Sequence, residues 1–433
     1  MLPATVSMAS VALWIAAMSL LLFASSLSAQ SKYKTIHEFT GMNGRGRFPQ
    51  AGLVGDPAGN LYGTTSLGGA YGYGTVFKLT PNSNGGWGFS VLHSFCRTCS
   101  DGFYPVGGLI LDSVGNLYGT AALAGAGGGG TVFKLTPNSD GSWTENLLYS
   151  FSFCSNCVDG YAPSAGLTFD AAGNLFGTTQ SGGTFSGGTV FKLTPQTDGS
   201  WSESVLYNFC FISDTCEAGS FPASTLVFDA SGNLYGTTLD GGLSTLCASN
   251  GCGVAFRLAP QSNGNWKYSV LHSFNGRDGA NSPSSLIFDG AGNLYGTTAS
   301  GGNLSLCGSQ VYVSGCGVVF QLTPNADGTW TENVLHRFTG ADGREPESGV
   351  VMDSAGNLYG TTFRGGNSCD CVLVFRLTRN SAGGWSDTVL HRFLDRPGDH
   401  SIAGLALDVK GNLYGTTTGD FTTTFGSVFE VTP

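Results

Sequence analysis

Charged residues are scarce in this sequence: only 11% of its 433 residues are Asp, Glu, Lys or Arg. The 29 acidic residues outnumber the 19 basic ones, so the formal net charge is −10 and the isoelectric point lies near 4.9. Proteins that bind nucleic acid or anionic membranes present clustered Lys and Arg side chains. The sequence has no such basic stripe, and we therefore expect neither partner.

Short catalytic motifs are also missing. The sequence contains no GxSxG, no HExxH, no phosphate-binding loop and no EF-hand pattern, each of which carries a defined chemistry. We assign no catalytic residue, and we expect a protein that is not an enzyme.

Long apolar runs are absent beyond residue 30. Residues 1–30 hold an apolar core over 11–24 followed by small residues up to Ala29, which predicts a secretory signal peptide. That core is shorter than the roughly 20 residues of a membrane span. Because no Lys or Arg precedes Lys32 and Leu27 is large for its place, an uncleaved anchor remains the alternative. We expect a secreted, extracellular or periplasmic monomer without a membrane contact after cleavage.

Glycine and phenylalanine are abundant instead. The chain has 68 Gly and 29 Phe, and 41% of its residues are hydrophobic. High Gly content alone is compatible with disorder. The regular clustering of the apolar residues, however, provides enough surface for a large core.

One seven-residue stretch, GNLYGTT at residues 59–65, occurs seven times. Near copies begin at Gly115, Gly173, Gly232, Gly292, Gly356 and Gly411. Each repeat contains four short, alternating strand-like pieces, which in the third copy are residues 165–170, 174–179, 188–194 and 204–209. Seven repeats of four antiparallel strands predict an all-β, seven-bladed β-propeller.

The two ends of the repeat region indicate that the ring closes. Residues 33–39 match a fourth strand, whereas residues 427–433 match a third strand and lack the fourth. Pairing the two segments completes the last blade and leaves no open sheet edge. We therefore expect residues 31–433 to form a single domain.

Several repeated residues have structural interpretations. An Asp precedes each copy by three residues, and we interpret it as a cap of a tight turn rather than as a metal ligand. Five His residues share one place in the fourth strand, where two repeats have Tyr; such an exchange does not suit a catalytic base. The Asp residues are Asp56, Asp112, Asp170, Asp229, Asp289, Asp353 and Asp408, and the His residues are His37, His93, His272, His336 and His391.

The 12 cysteines fall into six pairs, each local in sequence. In an exported protein local disulfides are the expected state, although the first two CxxC units could instead form a zinc site between adjacent blades. All six pairs lie in loops that emerge on one face, together with the long loops, and binding functions usually lie in such loops. The pairs are Cys96 with Cys99, Cys154 with Cys157, Cys210 with Cys216, Cys247 with Cys252, Cys307 with Cys316, and Cys369 with Cys371.

Carboxylates and aromatic rings at the start of strand one form the candidate ligand site. They suit recognition of a sugar or peptide, and the carboxylates could hold calcium, although we expect no cofactor. The alternative is a purely structural Asp-Gly turn with a hydrophobic plug. The candidates are Asp101, Asp159, Asp278, Asp342, Glu347, Phe48, Tyr104, Tyr161 and Phe221.

The repeat resembles a known family. The segment DGYAPSAGLTFDAAGNLFGTT, followed by GG, GTVFKLTP and VLxxF, is similar to the GloVer tandem repeat of exported, choice-of-anchor bacterial proteins. The resemblance covers residues 33–433 and implies a secreted or surface-attached protein of undefined activity. Because the chain ends at Pro433 without an anchor segment, we expect release. We therefore predict a secreted, non-enzymatic protein that binds a glycan, a peptide or an envelope component. The alternatives are a propeller-type polysaccharide or lactone lyase or hydrolase and a purely structural extracellular protein.

Overall fold

The structure is a computed structural model that describes residues 31–433 with the exception of short segments. Residues 42–43, 99, 155–156, 211–215, 245, 248–249, 309–312, 314, 367–369, 395–399, 402 and 421–423 are not described. The predicted signal peptide, residues 1–30, also lies outside the described residues. Within the described part, no helix has the length and hydropathy that a bilayer span requires.

The chain forms a seven-bladed β-propeller, as predicted, with seven antiparallel sheets of four main strands each. The first three blades run from the short strand one outward to strand four. Blade 1 consists of β2 (Val54–Gly55), β3 (Leu61–Thr65), β4 (Thr75–Pro81) and β5 (Trp87–Ser94); blade 2 of β6 (Ile110–Leu111), β7 (Leu117–Ala121), β8 (Gly128–Pro137) and β9 (Trp143–Ser152); blade 3 of β10 (Thr168–Phe169), β11 (Leu175–Thr179), β12 (Ser186–Pro195) and β13 (Trp201–Cys210).

Blades 4 to 6 repeat this plan, and blade 4 has an additional short strand, β14 (Ser220–Pro222), that pairs with its second strand. The remaining strands of blade 4 are β15 (Val227–Phe228), β16 (Leu234–Asp240), β17 (Val254–Pro260) and β18 (Trp266–Ser273); those of blade 5 are β19 (Ile287–Phe288), β20 (Leu294–Thr298), β21 (Val318–Pro324) and β22 (Trp330–Arg337); those of blade 6 are β23 (Val351–Met352), β24 (Leu358–Thr362), β25 (Leu373–Arg379) and β26 (Trp385–Arg392).

Blade 7 joins the two ends of the described chain, as the sequence predicts. Its sheet order is β27 (Ala406–Leu407), β28 (Leu413–Thr417), β29 (Ser427–Thr432) and β1 (Lys32–Glu38). The register runs from Lys32 opposite Thr432 to Glu38 opposite Ser427. The ring is therefore closed by backbone hydrogen bonds between segments almost 400 residues apart in the chain.

The GNLYGTT stretch recurs because most of its residues meet a separate structural requirement. In blade 1, Asp56 accepts hydrogen bonds from the backbone of Ala58 and Asn60, from the Asn60 side chain and from the Tyr62 hydroxyl. Gly59 has φ +82° in this turn, a conformation that favours glycine. Although burial raises the pKa of Asp56, these hydrogen bonds lower it below its usual value. The Asp acts as a turn cap, which confirms the structural interpretation.

The glycine and threonines of the stretch pack the blades together. A Cβ on Gly63 would lie 2.6 Å from the ring of Phe77, which is fully buried in strand three. The first Thr reaches the next blade, as Thr120 Oγ1 does by donating to the Ala165 carbonyl at 2.9 Å. In blades 1 and 2 these contacts make the stretch part of the scaffold.

Disulfides fix the loops of one face. Four of the predicted pairs are bonded among the described residues: Cys154–Cys157, Cys210–Cys216, Cys247–Cys252 and Cys307–Cys316. Cys96 and Cys371 are also disulfide-bonded, whereas their predicted partners, Cys99 and Cys369, lie outside the described residues. These bonds are consistent with an extracellular or periplasmic protein.

Candidate ligand-binding site

A channel of about 550 Å³ runs through the centre of the ring. It is lined by the segments that lead into strand one, which are rich in Gly, Ala and Ser: residues 50–53, 106–109, 164–166, 223, 225, 283–285, 347–351 and 403–405. Small residues are required here because neighbouring segments touch, and a Cβ on Gly349 would lie 2.5 Å from the Ser285 carbonyl oxygen. The channel wall is therefore mostly backbone.

A second cavity of about 510 Å³ lies at the mouth of this channel, on the face with the long loops, and we call it the mouth cavity. Its residues come from the ends of second strands and from the loops before first strands, mainly in blades 4 to 6. They are Gln180, Phe221, Leu239, Asp240, Asn281, Pro283, Ala299, Ser300, Glu345 and Glu347. Three carboxyl groups, two amides, a hydroxyl and one aromatic ring thus surround one space.

The backbone positions a ring of side chains around the mouth. In six blades the residue two positions after a Gly of the loop before strand one has a positive φ. The values are 60° at Phe48, 65° at Tyr104, 57° at Ala162, 56° at Phe221, 54° at Asn281 and 56° at Glu345. Non-glycine residues adopt this conformation only where the surroundings enforce it.

Hydrogen bonds on both sides enforce that conformation. The Glu345 amide donates to the Cys316 carbonyl of the preceding blade, and the Glu345 carbonyl accepts from the Phe363 amide. Asn281 is held in the same way by Cys252 and Ala299. The scaffold therefore fixes where these side chains lie, while their identity differs from blade to blade.

Burial changes the protonation of the acids in the mouth cavity. The pKa of Glu347 is raised to about 7, first by burial and then by the charge of Glu345, with Arg364 opposing the rise. Burial raises the pKa of Asp240 to about 6. Burial also raises the pKa of Glu345, against the opposing charges of Arg344 and Arg364. At neutral pH the cavity can therefore both donate and accept protons in hydrogen bonds.

The acids retain capacity for a ligand. Asn281 Nδ2 donates to Asp240 Oδ1 at 3.3 Å. Glu345 Oε1 is buried and has no hydrogen-bond partner among the described residues, and Arg344 Nε lies 3.9 Å from it. A buried acceptor without a partner is costly, so a ligand hydroxyl that donated to it would be stabilised.

The structure brings together only some of the residues predicted from sequence. Phe221 and Glu347 line the mouth cavity, and Tyr104 and Glu347 line the central channel. Phe48 packs against Phe425 with ring centroids 5.9 Å apart, and Tyr161 packs edge-on against Phe153.

The four predicted Asp residues lie elsewhere, between the outer strands of adjacent blades. Asp101, Asp278 and Asp342 accept hydrogen bonds from His93, His272 and His336 at 2.8, 3.1 and 3.1 Å. Asp159 accepts one from the Tyr149 hydroxyl at 3.1 Å. Ligand binding by these four residues stays a prediction.

Sequence reasoning missed Asp240, Asn281 and Glu345. The sequence does contain a signal for these residues, because two positions vary among repeats that are otherwise nearly constant. One lies two residues after a Gly of the loop before strand one and holds Asn281 and Glu345. The other lies two residues after GTT and holds Asp240. A comparison of the seven repeats position by position would have singled out the polar residues of blades 4 to 6.

The comparisons with known proteins show the family. The chain matches the model of the Gloeobacter/Verrucomicrobia repeat over residues 22–249 and 247–433. It therefore belongs to this repeat family, which confirms the resemblance predicted from sequence. The search of curated proteins found no significant match.

Two solved structures that match this chain share little sequence with it. A gluconolactonase of Xanthomonas campestris is 12% identical, with a TM-score of 0.40 and coverage of 94% of this chain and 92% of that one. A luciferin-regenerating enzyme is 15% identical, with a TM-score of 0.42 and coverage of 93% and 95%. These similarities carry no conclusion about this chain.

Proposed function

We propose that this protein is a secreted, non-enzymatic binding protein that holds an extracellular glycan in the mouth cavity. The observation that carries the proposal is the concentration of Asp240, Asn281, Glu345 and Glu347 in blades 4 to 6, on one side of a mouth whose scaffold is otherwise repeated seven times. A purely structural ring has no need for such asymmetry.

The chemistry of the cavity favours a sugar. Sugar hydroxyls donate to carboxylates and accept from amide groups, and the cavity offers both in Glu345 and Asn281. The ring of Phe221 provides an apolar surface for the C–H face of a sugar. The acidic lining and the net charge of −10 disfavour an anionic ligand.

The proposal is tested by screening a glycan panel by calorimetry, followed by variants. Glu347→Ala is expected to weaken the best glycan about ten- to a hundredfold, because hydrogen bonds to charged groups contribute about 1.5–3 kcal/mol. Gln50→Ala changes the equivalent residue of blade 1, which lines the channel outside the mouth cavity, and should leave affinity unchanged. Equal effects of both substitutions, or no binding to any glycan, would exclude the proposal.

A second candidate function is acid–base catalysis on a polysaccharide or lactone. The observation that favours it is the raised pKa of Glu347, about 7, inside a cleft with two further acids, as expected of a general acid or base. The test is turnover of polysaccharides and lactones. Activity abolished by Glu347→Gln, with glycan affinity retained, would favour this function over binding alone.

Export is proposed together with the binding function. It is supported by the four disulfides and by the apolar core of residues 11–24. Amino-terminal sequencing of the protein from the culture medium should begin near residue 31, whereas a start at Met1 in the membrane fraction would indicate an anchor.

A further inference from the structure

The outer strands of neighbouring blades meet in two kinds of contact, which we call junctions. In three junctions two rings stack: His37 on Phe89, Tyr207 on Tyr268 and Tyr33 on His391, with centroids 4.1, 4.0 and 3.9 Å apart. In the other four junctions the second ring is replaced by Glu145, Glu203, Glu332 or Asp387. In each of these four junctions an Asp of the loop before strand one faces the His or Tyr.

In each of two acidic junctions, three side chains that can bind a metal lie close together. His272 Nε2 lies 3.1 Å from Asp278 Oδ2, and His336 Nε2 lies 3.1 Å from Asp342 Oδ2. With Glu332 and Asp387 respectively, each group offers one imidazole and two carboxylates whose ligand atoms all lie within 4.8 Å of one another. Among the residues that the structure describes, these are the two groups of His, Cys, Asp and Glu with this geometry.

The third ligand of each group has an oxygen that the protein does not use. Glu332 Oε1 and Asp387 Oδ1 are buried and have no hydrogen-bond partner within the described part of the chain. The fold therefore places two half-buried carboxyl groups beside each other and leaves one oxygen unsatisfied in both junctions. Among the described residues, Glu145 and Glu203 have the same unpartnered oxygen in the other two acidic junctions. Such an arrangement is unfavourable without positive partners. The neighbouring imidazole and one arginine, Arg337 near Glu332 and Arg392 near Asp387, act on these carboxyl groups, but none of them donates a hydrogen bond to the unsatisfied oxygen in the described ranges of the chain.

We propose that each of these two junctions binds one divalent transition metal of the zinc type, through His272, Asp278 and Glu332 in one and His336, Asp342 and Asp387 in the other. Zinc takes imidazole and carboxylate ligands at about 2.0–2.2 Å, commonly three from protein with a solvent molecule as the fourth. The His and Asp side chains are 13–21% exposed, so solvent can complete the coordination. Calcium fits less well because it requires six to eight oxygen ligands.

The position of these sites connects them to the mouth cavity. The two junctions join blade 4 to blade 5 and blade 5 to blade 6, which are the blades that supply most of the cavity. Asp278 and Asp342 each precede by three residues a cavity residue with positive φ, Asn281 and Glu345. A bound metal would hold the loops that carry these side chains.

The structure supplies a control for the substitution of the histidine. In the junction of Asp159 and Glu203, Tyr149 stands at the place of the His and donates to Asp159. His272→Tyr and His336→Tyr therefore introduce a side chain that the same kind of junction already accommodates, while they remove the nitrogen ligand. His37→Tyr makes the same change in a stacked junction and serves as the matched control.

The experiment is calorimetric titration of the chelator-treated, otherwise intact protein with Zn²⁺, in parallel with Mn²⁺ and Ca²⁺. We expect two Zn²⁺ sites that His272→Tyr and His336→Tyr each reduce by one. Zinc should also raise the melting temperature of the wild type and of His37→Tyr. The increase should be smaller in the double variant that combines His272→Tyr and His336→Tyr. The absence of Zn²⁺ binding, or the same stoichiometry in the double variant and the wild type, would overturn the proposal. Neither result decides the glycan proposal, which is tested separately with the glycan panel.

Discussion

Gly119, in the second strand of blade 2, allows a direct test of why the repeat requires glycine. Its φ is not positive, so a turn conformation does not explain it. A Cβ at this residue would lie 2.6 Å from Phe133 Cζ and 2.8 Å from Leu109 Cδ2. Both neighbours are buried, with 0% and 5% exposure, so the ring has little room to move.

We expect Gly119→Ala to reduce the free energy of unfolding by about 1–2 kcal/mol. Overpacking a core by one methyl group costs about 1–3 kcal/mol, and the smaller conformational freedom of alanine in the unfolded chain offsets about 0.4–1 kcal/mol of it. The measurement is urea denaturation followed by tryptophan fluorescence, with the slope compared between variants to verify that the transition is the same.

Gly290→Ala is the control, because nothing lies within 4 Å of a Cβ there and φ is not positive. Its effect should stay within about 0.5 kcal/mol. The double variant that combines Gly119→Ala with Phe133→Leu lacks the ring atom with which the new Cβ clashes. Its loss in the free energy of unfolding should therefore be smaller than the sum of the losses in the two single variants. The steric explanation is refuted if Gly119→Ala is as stable as Gly290→Ala, or if the two costs add.

Two further predictions concern pH and ring closure. The pKa of Glu347 is about 7 in the folded protein and 4.5 ordinarily, so the folded state binds more protons between these values and stability falls as pH rises through them. Glu347→Gln should remove up to about 3 kcal/mol of this loss in the free energy of unfolding. The measurement is the difference in stability between the variant and the wild type, which should grow between about pH 5 and pH 8. A constant difference would contradict the raised pKa of Glu347. Deletion of residues 31–40 removes β1, including Tyr33, which packs on Phe393 and Phe429. It should cost at least about 3 kcal/mol and expose the edge of β29 to self-association, whereas an unchanged melting temperature and a monomeric deletion variant would argue against closure by β1.

The seven-fold repetition made the fold predictable. Each copy of GNLYGTT encodes local chemistry, in which Asp56 caps its own turn within six residues and Gly63 allows its partner ring to approach. The same requirements for the turn and for packing recur in seven copies. The match of residues 33–39 to a fourth strand predicted the pairing of β1 with β29 that closes the ring. Periodic and local constraints of this kind are visible in sequence because they connect neighbouring residues.

Tertiary structure decided which polar side chains meet. Asp240, Asn281 and Glu345 belong to three different blades, and 105 residues separate the first from the last. They share a cavity because blades 4 to 6 pack side by side, which brings the end of a second strand and the loops before first strands together. The His272 and Glu332 pair is likewise set by the contact of outer strands in adjacent blades. The sequence by itself determined the ring and its loop-rich face, and a comparison of its repeats identifies the polar residues that vary. Which of these residues share a cavity or a junction depends on contacts between blades, which no local pattern in the chain encodes.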